Sequence, residues 1–462
     1  MSFSGIENGA LGKLLQISFS EGVRSQISAD YSDWEQIKMN RIGDPNGREH
    51  RFLFQKSYGP GAVQYRNPNF SSSFPGSQQI TVSEHSAVYK ELEATIEIDY
   101  NLWFQLQKSP AKYADQLGLE IQSKAIALKR RMAADLYGDG TGCIMTASAV
   151  SFSGGQLVIT VDSSDTARGH LGFCEYYDNL SAYSPAAANH VPAVAAGTVF
   201  ALQVRRKDRP NNTIYLTAVD SAGNDLSVTG AGTVVATDVF YRGGYASGAS
   251  QGQPTIPDLT AINSSTNYGT LTEVWAGLES LAAADGRNVH GITMSGLSAG
   301  TEYDCGNNPI DVSYLQAGLD QVKINVGPGA YAWKRMGMAP ETHAAFVESR
   351  ETDRRFVTKD DAVRGIKVFG FQHGNDFLES YSTEYIPRKR LWCLPEQKAG
   401  QKVMEWQGTD FEPVRVKGSD EFMLKPGTSG GHERRVVSYM HSLGVMICKH
   451  PASVLKLRNF TA

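Results

Sequence analysis

The chain has 462 residues, too many for one core, so two or three structural units are expected. Hydrophobic residues make up 41% and charged residues 20%, the balance of a soluble folded protein. A formal net charge of -4 argues against a protein whose main task is gripping phosphates, though not against a wall that merely faces nucleic acid.

The N-terminus, Met1 to Glu7, has no basic segment and no apolar run, so no signal peptide is expected. No window approaches the ~18 consecutive apolar residues of a membrane span. Residues 1–45 read as an N-terminal arm with one helix near Tyr31 to Asn40. A neighbouring subunit is the natural clasp for such an arm, because free termini fray unless held. Arg48 to Ser57 reads as a strand, with Phe52 and Phe54 between Arg51 and Lys56. Tyr58 to Pro75 is a tip rich in Gly, Pro, Asn and Ser, with a turn at Gly59-Pro60-Gly61. Residues 80–104 return as a strand. Its alternation is the clearest signal in the chain. Leu92, Ala94, Ile96, Ile98 and Tyr100 fall on one face; Glu91, Glu93, Thr95, Glu97 and Asp99 fall on the other.

A long helix follows. Ser109 is a good N-cap, and Pro110 loses nothing at the first helical position because its N–H would be unpaired there. Ala114, Leu117, Ile121, Ala125, Leu128, Met132 and Leu136 recur at helical spacing, and Gly138 to Gly142 is a run of breakers. About thirty residues at ~1.5 Å rise give a helix of about 45 Å, well beyond ordinary globular length. From Val150 to about Asp258 the composition shifts to short β-prone runs between turns: Leu157 to Val161, Val199 to Val204, Thr213 to Leu216 and Val234 to Tyr241. This spacing predicts a small β-barrel or sandwich. It interrupts the helix-containing parts, so it is expected to be an inserted domain with Gly243 to Pro257 as its exit linker. Helices return at Glu273 to Ala284 and Val312 to Val326. A strand near Met336 leads to a helix at His343 to Glu351, which runs on to Arg354-Arg355-Phe356. Gly365 to Gly370 and Arg390 to Leu394 read as strands, and Val436 to Leu457 is β-rich.

A β-arm feeding one long helix suits a flat subunit that reaches across its neighbours. The stretch from Arg48 to Gly142 resembles the major capsid proteins of tailed bacteriophages, which share the HK97-type fold. There the two-stranded arm is the extended loop and the long helix is the spine of the peripheral domain. The second half is similar to that family's axial domain: a helix ending in Arg and Phe, a glycine-flanked strand, Ile386-Pro387 before a Leu-rich strand, and the closing Leu443 to Ser453. The resemblance covers most of the chain, with a gap at about 150–258. It implies an α+β, HK97-like capsid fold with these parts: 1–45 N-terminal arm, 46–104 extended loop, 105–149 spine helix and peripheral domain, 150–258 inserted β-rich domain, 259–400 axial domain, and 401–462 a C-terminal return to the sheets.

The function implied is self-assembly into hexamers and pentamers of an icosahedral head around double-stranded DNA, in the virion, after assembly in the host cytoplasm. Expected partners are other copies, a portal, a separate scaffolding protein, a possible decoration protein, and packaged DNA through weak non-specific contact. No membrane, cofactor, metal or catalysis is expected. An encapsulin-like compartment shell is the alternative with the same fold.

The candidate inter-subunit contacts are the acidic row Glu91, Glu93 and Glu97, the apolar row Leu92, Ile96 and Ile98, and basic residues able to meet the acids: Arg48, Arg51 and Lys56 on the partner strand, or Arg354, Arg355 and Arg388 on a neighbour. Exposed pairs contribute about 0–1 kcal/mol each, yet a repeated set can fix register. The bland counterpart is a solvated strand face. Basic clusters at Lys129-Arg130-Arg131, Arg205-Arg206-Lys207 and Arg388-Lys389-Arg390 have no aromatics interleaved as single-strand binders do, so surface or inter-subunit pairing is expected of them.

Two Gly-x-Ser-x-Gly matches, at Ser298 and Ser429, could mark a serine hydrolase, but that motif needs a helix directly after the serine and neither sequence supplies one. His441, Cys448 and His450 are metal ligands by type but lack a fourth ligand at usable spacing. The five cysteines are scattered, which predicts free, mostly buried thiols.

Overall fold

A computed structural model describes residues 40–41, 47–55, 82–99, 110–164, 167–245, 256–263, 265–282, 286–295, 298–326, 331–351, 370–373, 376–398, 401–408, 412–413, 423–426 and 432–461. The first thirty-nine residues, the tip at 58–75, Lys56, Arg354, Arg355, Ser429 and the strand expected to start at Gly365 lie outside them.

In chain order the first strands are β1 (Glu49–Gln55), β2 (Val82–Val88) and β3 (Lys90–Asp99), followed by helix α1 (Pro110–Leu136). Six strands come next: β4 (Cys143–Ser153), β5 (Gln156–Val161), β6 (Asn179–Tyr183), β7 (Ala201–Asp208), β8 (Thr213–Val219) and β9 (Val239–Arg242). The second half has β10 (Thr301–Pro309), α2 (Val312–Val326), β11 (Tyr331–Met338), α3 (Pro340–Glu351), β12 (Gly370–His373), β13 (Asp376–Ser382), β14 (Arg390–Lys398), β15 (Met404–Gly408), β16 (His432–Cys448) and β17 (Leu455–Thr461).

The arm is the antiparallel ribbon β1–β2, with Glu49 opposite Val88 and Gln55 opposite Val82. It ends at Tyr89. The alternating strand expected to form the arm's return therefore splits in two. Its second part, β3, leaves the ribbon and pairs antiparallel with β16 over its whole length, from Lys90 opposite Gly444 to Asp99 opposite Arg435. The edge of β3 is thereby hydrogen-bonded within the chain, and Leu92 and Ile96 of its apolar face are taken into the chain's own core. The β3–β16 sheet also holds β15 against β16, with Asn40–Arg41 in parallel beside β15. Gly444 on β16 lies flat on Trp406, where an added Cβ would come within 2.3 Å of the indole. Trp275 packs edge-on to Trp406 at 5.2 Å and donates its Nε1–H to the Gly444 carbonyl at 2.8 Å.

Helix α1 has 27 residues, about 40 Å at ~1.5 Å rise. Its C-terminal half buries Leu128, Met132, Ala133 and Leu136. Gly140 and Gly142 have φ +82° and +75°, the left-handed backbone that glycine adopts without a Cβ clash. The chain then turns directly into a barrel. Its strands are antiparallel in the order β7-β8-β5-β4-β9-β6, and β6 pairs back onto β7 through Leu202 and Leu180, which closes the ring. Closure removes sheet edges. Met145, Leu157, Ile159, Leu180, Leu202, Val204, Ile214, Leu216 and Phe240 fill the inside at 0% exposure. The barrel takes in Cys143 to Ala149, which the sequence pattern groups with the helix.

Of the helix expected over Glu273 to Ala284, the described residues, which end at Ala282, form one turn, Leu278–Leu281. Trp275, Leu278 and Ala282 are buried, so the apolar periodicity there records burial and not an amphipathic helix. Gly277 sits so close to the Asp135, Leu136 and Gly138 carbonyls that a side chain would collide with them.

The axial sheet runs β10-β17-β14-β11-β13-β12. The C-terminal strand β17 lies inside it, parallel to β10 and antiparallel to β14. Helices α2 and α3 cover one face through Leu315, Leu319, Val322 and Phe346, against Met336, Leu391, Leu455 and Leu457. The other face carries Arg390, Trp392 and Lys456, all at or below 5% exposure.

Candidate assembly surfaces

Two-sidedness defines the arm. Phe52, Phe54 and Ala87 face inward; Phe54 and Ala87 are buried, and His85 sits with ring centroid 6.2 Å from each phenylalanine. The outward face carries Arg51 and Leu53 of β1 with Glu84 and Val82 of β2, because directly opposed residues share a face. Leu53 is 74% exposed and Val82 50%. Arg51 bonds Glu49 at 2.9 Å and Glu84 at 3.5 Å. Arg48 is exposed.

The contact residues expected from the sequence separate into three groups. Ile96 is 1% exposed, so it is covered within the chain and the expectation that it buries against an adjacent subunit is corrected; Leu92 is half-buried against the chain's own core. Glu91 and Glu93 are exposed on the opposite face, as the alternation predicts. Glu97 and Ile98 lie on β3 by register, opposite Val437 and Val436. The strand beside β1 is β2 and not β3, so Arg51 is paired with Glu49 and Glu84 instead of the acidic row. Arg388 is engaged inside the chain at the junction of barrel and axial sheet.

That junction is built from polar groups of both units. Arg209, past the end of β7, donates through Nε and Nη2 to the two oxygens of Glu341 on α3, at 3.0 and 3.4 Å. Arg388 donates to the same carboxylate at 3.2 Å and to the Arg209 carbonyl. His170 donates Nε2–H to the Tyr385 carbonyl at 2.8 Å while its Nδ1 accepts from Gly172 N–H at 3.1 Å, an arrangement only a neutral ring supports. Burial agrees, pushing its pKa down to about 3. Gly172 is pressed onto Glu384 so tightly that a Cβ would lie 1.7 Å from that carbonyl oxygen.

Beneath the junction lies an ionic cluster that links the 278–281 turn to the axial sheet. Glu279 meets Lys456 at 2.6 Å and Arg390 at 3.1 Å; Lys456 also meets Glu302 at 3.4 Å, and Arg458 meets Glu302 at 2.8 Å and Asp304 at 3.3 Å. Burial pushes the Glu279 carboxyl up, but Arg390 and Lys456 more than offset this and hold it at about 2.

The basic clusters are likewise used within the chain. Arg131 pairs with Asp135 at 3.1 Å, Arg130 with Glu175 at 3.5 Å, and Lys207 donates to the Cys174 carbonyl at 2.7 Å. Arg205, Arg206 and Lys207 lie over the rings of Tyr177, Tyr215 and Tyr176. These aromatics come from other segments, so no local interleaving announced them. Ser298 is half-buried and leads into strand β10, not a helix, so the strand–turn–helix geometry of an exposed nucleophile is missing there. All five cysteines are buried and unpaired, and burial raises the Cys143, Cys174 and Cys448 thiols to about 12. Among the described residues no group of three His, Cys, Asp or Glu side chains could hold a metal ion, and no described helix is long and apolar enough to cross a membrane.

No family model matches the sequence, and no curated protein does. Solved structures do match. The capsid subunit of cyanophage A-1(L) aligns with a TM-score of 0.50 and 7% identity over 96% of this chain and 98% of that one. The capsid of a native GTA particle aligns at 0.46 with 11% identity over 100% of both chains. The holo-SrpI encapsulin complex of Synechococcus elongatus PCC 7942 aligns at 0.38 with 8% identity over 98% and 95%. The likeness to the cyanophage subunit is one of fold, and that fold is the HK97-type capsid fold.

Proposed function

We propose that this chain is the major capsid protein of a tailed bacteriophage, which self-assembles into hexamers and pentamers and closes an icosahedral head around double-stranded DNA. One observation carries the reading: a two-stranded arm, a helix of about 40 Å and an axial sheet completed by the C-terminal strand are joined in one chain that aligns over 96% of its length with a phage capsid subunit. The role is mechanical. Leu53 and Val82, exposed on the arm, meet a neighbouring subunit; burying such a side chain contributes about 1.5–3 kcal/mol. Glu91 and Glu93 face a basic surface of another copy. Each contact is weak, and multivalency makes the shell strong.

The barrel is an insertion. What supports this is that Cys143, where the chain enters it, and Tyr241, where it leaves, are cross-strand partners, so the barrel can be added to a subunit without moving the chain on either side. A portal and a separate scaffold complete the head, which forms in the host cytoplasm.

Electron microscopy of the protein expressed alone, and with its scaffold if one is encoded, tests the reading. Closed shells, capsomer rings or tubes are expected. Particles from infected cells that hold DNA identify a viral head; particles that hold an enzyme identify a compartment shell. A compact monomer at high concentration under both conditions refutes assembly as the function.

A further inference from the structure

A cleft of about 250 Å³ opens where the barrel meets the axial sheet. Its wall gathers four cations, Arg209, Arg388, Lys389 and Arg390, and one carboxylate, Asp162. Asp162 is already occupied: it accepts from Ser164 N–H at 2.8 Å and from the Ser164 hydroxyl at 2.9 Å. Three of the cations are braced from behind, Arg209 and Arg388 by Glu341 and Arg390 by Glu279. Bracing fixes a guanidinium without exhausting it. Each has five N–H donors, and Glu341 takes only the Nε and one terminal nitrogen of Arg209; the other terminal nitrogen has Glu384 at 3.6 Å. His170 adds no charge, because its ring is neutral.

Lys389 differs from the other three. Among the described residues no hydrogen bond or ion pair involves its ammonium group. Its backbone is held at φ +61°, in the left-handed region that side chains with a Cβ rarely adopt. Asn212 and Asn459, at φ +51° and +55°, line the same cleft.

We propose that the cleft binds an oxyanion of phosphate size, with Lys389 supplying direct charge and Arg388 and Arg209 supplying N–H donors. The volume suits it: a water occupies about 30 Å³, so the space takes a tetrahedral anion with several waters. The ligand is either free phosphate or a carboxylate presented by another molecule; the recognising chemistry is shared. Asp162 to Ser164, Gly169 to Gly172 and Arg209 form one wall and Ile386 to Arg390 with Asn459 the other, so a bound anion ties the barrel to the axial sheet. Binding to the folded state alone then raises its stability by mass action.

The test is thermal denaturation of the full-length unassembled protein, titrated with inorganic phosphate at constant ionic strength set by sodium chloride. A saturable rise in Tm is expected, and it disappears in Lys389→Gly, a substitution that suits the left-handed backbone and removes the ammonium group with its stem. Arg206→Gln, on an exposed cation outside the cleft, keeps the rise. An acetate titration at the same ionic strength separates the sources: an equal or larger rise with acetate assigns a carboxylate, and a rise with phosphate alone assigns phosphate. No saturable rise with either anion, or a rise of unchanged midpoint in Lys389→Gly, overturns the proposal.

Discussion

Glu279 offers the sharpest check on the energetics of this fold. Its carboxylate holds Lys456 at 2.6 Å and Arg390 at 3.1 Å, and its pKa stands at about 2 against an ordinary 4.5. That gap corresponds to about 3 kcal/mol at neutral pH. It is an upper figure, because the side chain keeps 18% of its surface in solvent. The sign follows from proton counting. A carboxyl with a depressed folded pKa binds more protons when unfolded, so its contribution is whole above about pH 4.5 and is lost as the pH falls towards 2. Glu279→Gln keeps the shape and removes the charge at every pH, leaving Arg390 and Lys456 with less compensation. Urea denaturation of the unassembled protein is expected to show a loss of about 2–3 kcal/mol at pH 7 with an unchanged slope. The difference between variant and wild type should shrink below pH 4.5. His170 and His290 have pKa values lowered mainly by burial, to about 3 and about 4, so the unfolded chain gains protons first and stability also drops as pH falls from 6.5. That loss is common to both proteins and cancels in the difference. A gap under about 0.5 kcal/mol at pH 7, the scale of an exposed pair, refutes the reasoning, as does a gap that stays constant down to pH 3.

Gly172→Ala forces a Cβ into the Glu384 carbonyl, so the barrel should loosen from the axial sheet at a cost of about 1–3 kcal/mol or more, seen as faster proteolysis within residues 162–172; unchanged protection means the junction is not packed as described. Leu216→Ala empties part of the barrel interior and should cost about 2–5 kcal/mol in denaturant titration, whereas a loss under 1 kcal/mol points to a collapsible core. Leu53→Asp lies on an exposed face, so stability of the free subunit should change by less than about 0.5 kcal/mol while the yield of closed shells falls at least tenfold by electron microscopy. Normal assembly would remove that face of the arm from the inter-subunit contact.

Much of the secondary structure is written locally. Period-two alternation from Glu91 to Asp99 marks a strand, with Glu91 and Glu93 exposed, and Pro110 and the glycines after Tyr137 mark the ends of α1. The candidate site was less legible. Leu92 and Ile96 were correctly read as an apolar face, but periodicity says which side of a strand is buried and not what buries it. They are taken into the chain's own core, and the strand that pairs beside them, β16, comes more than three hundred residues later in sequence. Arg388 looked like a free surface cation because Glu341 and Arg209 are distant in the chain. The ring partners of Arg205, Arg206 and Lys207 were hidden for the same reason.

The sequence by itself determined the elements: a β-arm, one very long helix, a run of short strands and a helix-bearing second half. Local propensity, capping and hydrophobic period act over a few residues, and a linear chain displays them directly. Tertiary structure alone decided that the return strand divides at Tyr89, that the short strands close into a barrel through Leu180 and Leu202, and that the C-terminal strand completes the axial sheet beside β10. It also decided which charges face water and which are buried in pairs. Those outcomes depend on the shared cover of apolar faces and on charges meeting across hundreds of residues, and no local pattern carries that information.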